Sequence, residues 1–167
     1  SVVGDIEYDE TLSLIEKYYG GITSGMKPAK TPFTAEEITS ERSGVIYDNI
    51  HLEARFLFYR IPEIGSRDYY ALSIISGILS DGESSRLVKE LEYERELVHE
   101  IDTAVYGFEN AGVFAVSAFA LKGKSLKEIG KRVDEALEEI KAGRINDSDF
   151  QKVKNRIETY FSAGRQS

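Results

Sequence analysis

The sequence predicts an α+β domain, a mainly antiparallel mixed sheet with helices packed on one face. Three observations carry that. Apolar residues alternate with period two in two paired stretches, from Ser43 and from Leu97. Each pair is followed by two stretches whose apolar residues recur at helical spacing. Residues 113–120 are apolar on both faces, as a covered central strand requires. The element order reads β-α-β-β-α-α-β-β-α-α, so a ββαα unit occurs twice.

The first strand is Val2-Val3, closed by Gly4-Asp5. Asp9 then offers a carboxylate to free N–H groups and caps a helix carrying Leu12, Ile15 and Tyr19, which Gly20-Gly21 ends. Gly25 to Thr39, with Pro28 and Pro32 and no period, reads as a surface loop. Val45 and Tyr47 share a strand face, Asp48-Asn49 is turn chemistry, and Leu52, Ala54, Phe56 and Phe58 share a second face; together they predict a hairpin or bent strand pair that Pro62 ends. Ser66 or Asp68 caps a helix through Leu79, apolar nearly all round and so buried on more than one side.

Ser80-Asp81-Gly82 breaks it, and Ser84 or Ser85 caps the next helix, with Leu87, Val88 and Leu91 inward. Strands follow from Leu97 to Phe108 and from Gly112 to Leu121, joined by a hairpin at Glu109–Gly112. Val113, Ala115, Ser117 and Phe119 line one face of the second, and Phe114, Val116, Ala118 and Ala120 the other. Ser125 caps an amphipathic helix with the stripe Leu126, Ile129, Val133, Leu137 and Ile140, ended by Gly143. Asn146 or Asp147 caps a last helix bearing Phe150, Val153, Ile157 and Tyr160.

Composition narrows the function. The 167 residues suit one domain, predicted over 1–167, and 41% apolar content supports a packed core. A net charge of −8 argues against nucleic acid and anionic membrane surfaces, whose phosphates it would repel. No apolar run approaches the roughly 20 residues of a membrane span. Without cysteine there is no disulfide and no thiolate metal site.

The catalytic words are incomplete. A helical zinc site needs two imidazoles one turn apart, and the only histidines are His51 and His99; His99-Glu100 begins such a word and nothing completes it. Gly123-Lys124-Ser125 ends like a phosphate loop, but Ala118 stands where the first glycine belongs, so the stretch reads as a turn and a helix cap. Ser84-Ser85 lack a nearby base and a nucleophile elbow, which leaves capping. The charged run Lys89–Glu96 reads as a solvated helix face at i,i+4 spacing.

One ordered set of residues does resemble a family. Ser84-Ser85-Arg86-Leu87, Glu90-Leu91-Glu92-Tyr93-Glu94-Arg95-Glu96-Leu97, then Gly112-Val113-Phe114-Ala115-Val116, with Val2-Val3-Gly4-Asp5-Ile6 and Tyr18-Tyr19-Gly20 ahead of them, resembles the pitrilysin/insulinase family of zinc peptidases, the inverzincins. The resemblance implies a sheet of about six strands with helices on one face, as in the mitochondrial processing peptidase. It implies a parent with several copies of this domain, often enclosing a chamber. The first copy carries His-x-x-Glu-His, whose glutamate is general base for a zinc-bound water. This chain lacks that word and is similar to a later, non-metal copy, most like the second domain of the N-terminal half, excised from a longer chain.

The reading that follows is a non-catalytic domain of a zinc-dependent endopeptidase. It would form part of the substrate chamber wall and support a catalytic domain of the same or a partner chain. No cofactor is expected in this stretch, with zinc expected in the parent's catalytic domain; peptide is the expected substrate, in a soluble periplasmic or cytoplasmic protein. The alternative is an inactive assembly domain of the same family. A phosphate-ligand domain unrelated to peptidases rests only on Gly123-Lys124-Ser125. One later copy of the family holds substrate with an arginine and a tyrosine seven apart; the matching positions here are Glu92 and His99, both diverged and both weak stand-ins, since a carboxylate cannot replace a guanidinium and imidazole only partly replaces a phenol.

Overall fold

The computed structural model describes residues 1–27, 29 and 38–163, in two separate units, Ser1–Thr34 and Ala35–Ser167. Pro28, Pro32 and most of the predicted loop Gly25–Thr39 lie outside the described residues. The first unit holds one helix, α1 (Tyr8–Tyr19). Asp9 is not its cap: Glu7 occupies that position without a side-chain bond, and Asp9 sits inside the first turn, where its charge opposes the helix dipole's positive end. Gly20 closes the helix as predicted, its N–H donating to Glu16 O. Val2 and Val3 form no strand, because no described segment pairs with their backbone.

The second unit carries a three-stranded antiparallel sheet, where about six strands were expected. Its strands are β1 (Ala54–Ile61), β2 (Val98–Gly107) and β3 (Gly112–Ala120), in the order β1-β3-β2. The predicted strand around Val45 and Tyr47, and the hairpin at Asp48-Asn49, are absent. Val45, Ile46 and Tyr47 are exposed, and no described strand pairs with the outer edge of β1. Alternation alone does not make a strand; a partner ladder does. The first predicted ββαα unit is therefore βαα.

β1 stops at Ile61, before Pro62, which has no N–H to extend a ladder. α2 (Arg67–Ser80) is capped by Ser66, whose Oγ accepts from Tyr69 N at 3.2 Å. The next helix begins as α3 (Arg86–Val88) and widens into a π-helical turn, Lys89–Glu94. Ser85 does not cap it: the hydroxyl donates to Gly82 O at 2.6 Å, bracing the preceding turn. α4 (Leu126–Lys141) is capped by Ser125, and Asn146 Oδ1 accepts from Asp149 N at 2.7 Å to start α5 (Asp147–Ala163).

Register sorts the side chains. Pairs such as Phe58↔Ala115 and Val116↔Thr103 place Phe114, Val116, Ala118, Leu57, Ile61, Ile101 and Thr103 on the helix side. There α2 lies against β2, and α4 against β1 and β3. Leu79, Leu87, Leu91, Ile129, Val116 and Val133 are fully buried in the core. β3 is central, as predicted, but covered on one face only: Val113, Ser117 and Phe119 are half-buried on the open side.

α2 is covered on two sides, as its composition predicted, by the sheet and by α5. Gly77 makes the second contact possible: a Cβ there would lie 2.8 Å from Val153 Cγ1. Arg156–Asp81 at 2.7 Å fastens α5 to the C-terminal end of α2, and Arg86–Asp149 at 3.3 Å fastens it to the start of α3. Glycine in a helix interior ordinarily costs about 1 kcal/mol against alanine. Here overpacking of about 1–3 kcal/mol outweighs that gain. Gly77→Ala is expected to lower unfolding free energy in urea, and the same change in a Val153→Ala background to raise it. Equal effects in both backgrounds would disprove the contact's role.

Candidate functional site

Residues 89–100 concentrate the backbone irregularities of the chain. Within the π-helical turn the ladder runs from Arg95 N to Glu90 O at 2.9 Å, and Leu97 N reaches Leu91 O at 2.8 Å. Between them Glu96 takes φ 49°, a left-handed conformation that glycine usually fills at a helix end. The charged run is solvated, as predicted, but its ion pairs are not at i,i+4. Glu90–Arg95 at 2.7 Å and Lys89–Glu94 at 3.5 Å are both i,i+5, the spacing a π turn brings onto one face.

The two sequence-predicted site residues both belong to this segment, with different surroundings. Glu92 is half-buried, and its Oε1 accepts the Ile101 N–H at 3.0 Å, tying the π turn to the start of β2. His99 is the extra residue of a bulge between Val98 and Glu100 and is exposed. His51 is exposed in the irregular stretch before β1. Among the described residues no three His, Cys, Asp or Glu side chains group closely enough to hold a metal.

A second surface is the open face of the sheet. Phe56 and Phe58 are exposed and stack, centroids 6.4 Å apart, and Phe119 meets Phe56 edge-on at 6.0 Å. Tyr106 and Val113 extend the apolar area across the strands, with Arg60, Glu100 and Asp102 in the same face positions. The alternation in the sequence disclosed which residues share this face, and the expected packing of helices on one side agrees with α2 and α4 lying on the other within this unit.

Two polar groups lie elsewhere. Between α2 and β2 a shallow cleft of about 260 Å³ is lined by Ser73, Ser76, Ser80, Asp102 and Thr103. Its hydroxyls satisfy one another: Ser76 Oγ and Ser80 Oγ lie 2.9 and 2.8 Å from Thr103 Oγ1, and Thr103 N donates to Ser80 Oγ at 2.9 Å. No histidine adjoins it, so the cluster stitches helix to strand rather than activating a nucleophile. On β1, burial and then the charge of Asp134 hold the Tyr59 phenol above its ordinary pKa. Gly123-Lys124-Ser125 is a turn and a cap: Lys124 N donates to Leu121 O, and Ser125 Oγ accepts from Glu128 N.

Comparison with known proteins gives a consistent result. Residues 1–157 match the family described as the peptidase M16 inactive domain. The chain is 27% identical over 156 residues to the zinc protease PqqE of Helicobacter pylori, covering 92% of this chain and 35% of that protein. It is 22% identical over 162 residues to the uncharacterized zinc protease YmxG of Bacillus subtilis, covering 94% and 37%. The crystal structure of a protease from Helicobacter pylori superposes with a TM-score of 0.85 at 26% identity, covering 99% of this chain and 40% of that one. The chain thus spans little more than a third of the curated relatives it matches.

The Glu92 contact has a measurable consequence. Glu92→Ala strands the Ile101 N–H and is expected to cost about 1–3 kcal/mol in chemical denaturation, whereas Glu92→Gln keeps an acceptor oxygen and should cost less than half as much. Equal losses for the two variants would show that the amide bond is not what Glu92 contributes.

Proposed function

The chain belongs to the peptidase M16 inactive-domain family, and from that premise we propose that it is the non-catalytic domain of a zinc-dependent endopeptidase, supporting a catalytic domain and forming part of the wall that substrate meets. The family match over residues 1–157 carries this reading. The residues described do not fit a zinc site, so no hydrolytic step is derived through this chain. Zinc would be held by the parent's catalytic domain, and peptide would be the substrate.

The wall surface is the open sheet face. An antiparallel sheet tolerates water on one side, and the Phe56, Phe58 and Phe119 rings offer flat apolar area to a passing peptide without requiring one sequence. In the segment 89–100 the roles divide. Glu92 braces the turn through Ile101 N, and His99, standing out on its bulge, is the group free to meet substrate.

The test uses the parent protein and the 167-residue domain side by side. The parent should hydrolyse peptides, lose activity to a chelator and regain it with zinc; the domain alone should do none of this. A parent inert towards peptides with zinc supplied would replace this reading with that of an assembly domain. In an active parent, Phe58→Asp should lower kcat/KM about tenfold while unfolding is little changed. Unaltered kinetics would remove the sheet face from the wall.

A further inference from the structure

β2 (Val98–Gly107) ends the sheet on its side, and among the described residues no strand lies along its outer edge. In an antiparallel ladder alternate residues turn both backbone groups away from the partner strand. Ile101 N–H and both groups of Thr103 bond elsewhere than to β3, so Ile101, Thr103, Val105 and Gly107 are the outward residues here. A row of such groups is a template on which a further strand can add.

On this edge the template is closed. Thr103 N–H donates to Ser80 Oγ at 2.9 Å, and Thr103 O accepts from Ser76 Oγ at 2.8 Å. Ile101 N–H donates to Glu92 Oε1 at 3.0 Å. All three partners are side chains, two from α2 and one from the π-helical turn. Serine is a poorer helix former than alanine, because its hydroxyl competes for backbone groups. α2 nevertheless carries serine at positions 73, 76 and 80, and two of these hydroxyls are engaged on the backbone of β2. The ends of the edge are closed by other means. At its start the bulge at His99 interrupts the regular ladder and bends the strand. At its far end a Cβ on Gly107 would stand 2.6 Å from Tyr69 Cε2 and 2.9 Å from Ile64 Cβ, so side chains already lie against the backbone there.

We propose that Ser76, Ser80 and Glu92 form a side-chain strap across the outer edge of β2, which keeps an extended peptide from adding there as a further strand. The function proposed above brings peptide to this domain. An unguarded edge would hold it by main-chain hydrogen bonds, which peptides of any sequence can make. The inference rests on that reading only for the presence of peptide. Every contact of the strap lies within the larger unit.

The experiment removes the strap in the full parent protein, stripped of zinc by a chelator so that no cleavage intervenes. The probe is a synthetic decapeptide, four Thr-Val repeats between two lysines, and the readout is hydrogen exchange over residues 98–107 with and without it. In the Glu92→Ala, Ser80→Ala double variant, saturating peptide is expected to slow exchange of this segment about tenfold. In the unsubstituted parent and in Glu92→Gln, which keeps an acceptor oxygen, it should leave the segment unchanged. A folded double variant whose segment gains no protection would overturn the proposal, and so would equal protection in the unsubstituted parent. Where the double variant does not fold, Ser80→Ala alone, which uncovers the Thr103 N–H, is expected to gain about threefold, and no gain would overturn the strap. A parent that cleaves no peptide with zinc supplied, yet shows the variant-dependent protection, keeps the strap and loses the peptidase reading; an active parent without that protection loses the strap alone.

Discussion

The placement of everything in the larger unit depends on β3. Both of its edges are hydrogen-bonded, so its register fixes β1 and β2 at once. Phe114, Val116 and Ala118, each 3% exposed or less, are the row turned to the helices. A slip of one residue would send that row to the open face and bring Val113, Ser117 and Phe119 inward. Burial of Phe114 and Val116 therefore selects the register. The register in turn sets where Leu79, Leu87, Leu91, Ile129 and Val133 must arrive. α5 is one step further removed, held through Val153 on Gly77 and two ion pairs to the α2–α3 region.

The segment between the core helix and β2 shows how that demand is met locally. Leu91 and Leu97 are both buried, and the chain must reverse between them. The π turn and the left-handed Glu96 achieve the reversal at a strain on the order of 1–3 kcal/mol. Burial of two leucines offsets a cost of that size, at about 1.5–3 kcal/mol each. The same geometry aims Glu92 at an amide of β2 and leaves His99 outside the ladder. A carboxylate at position 92 is thus answered by a donor of the chain itself.

How legible this was in the sequence depended on whether the signal was local. Ser66, Ser125 and Asn146 were readable as caps because capping is settled within one turn. The β2–β3 hairpin and the inward row of β3 were readable from alternation and turn residues. Residues 43–52 alternate as well as β1 does, yet no described strand pairs with them; pairing is a non-local fact that alternation cannot report. The i,i+5 ion pairs were invisible for a related reason, since the charged run is equally compatible with an α-helix until Leu97 must be buried. At the candidate site, Glu92 and His99 could be located by resemblance, whereas the bond from Ile101 N could not.

The two uncovered apolar surfaces are not equivalent in what they demand. The strands bearing Phe56, Phe58 and Phe119 are already secured by their ladders and by a buried opposite face. That face can stay wet between encounters without loss of structure, which suits a surface that substrate touches and leaves. α1 has no such security: its backbone bonds are local, and nothing of it is buried.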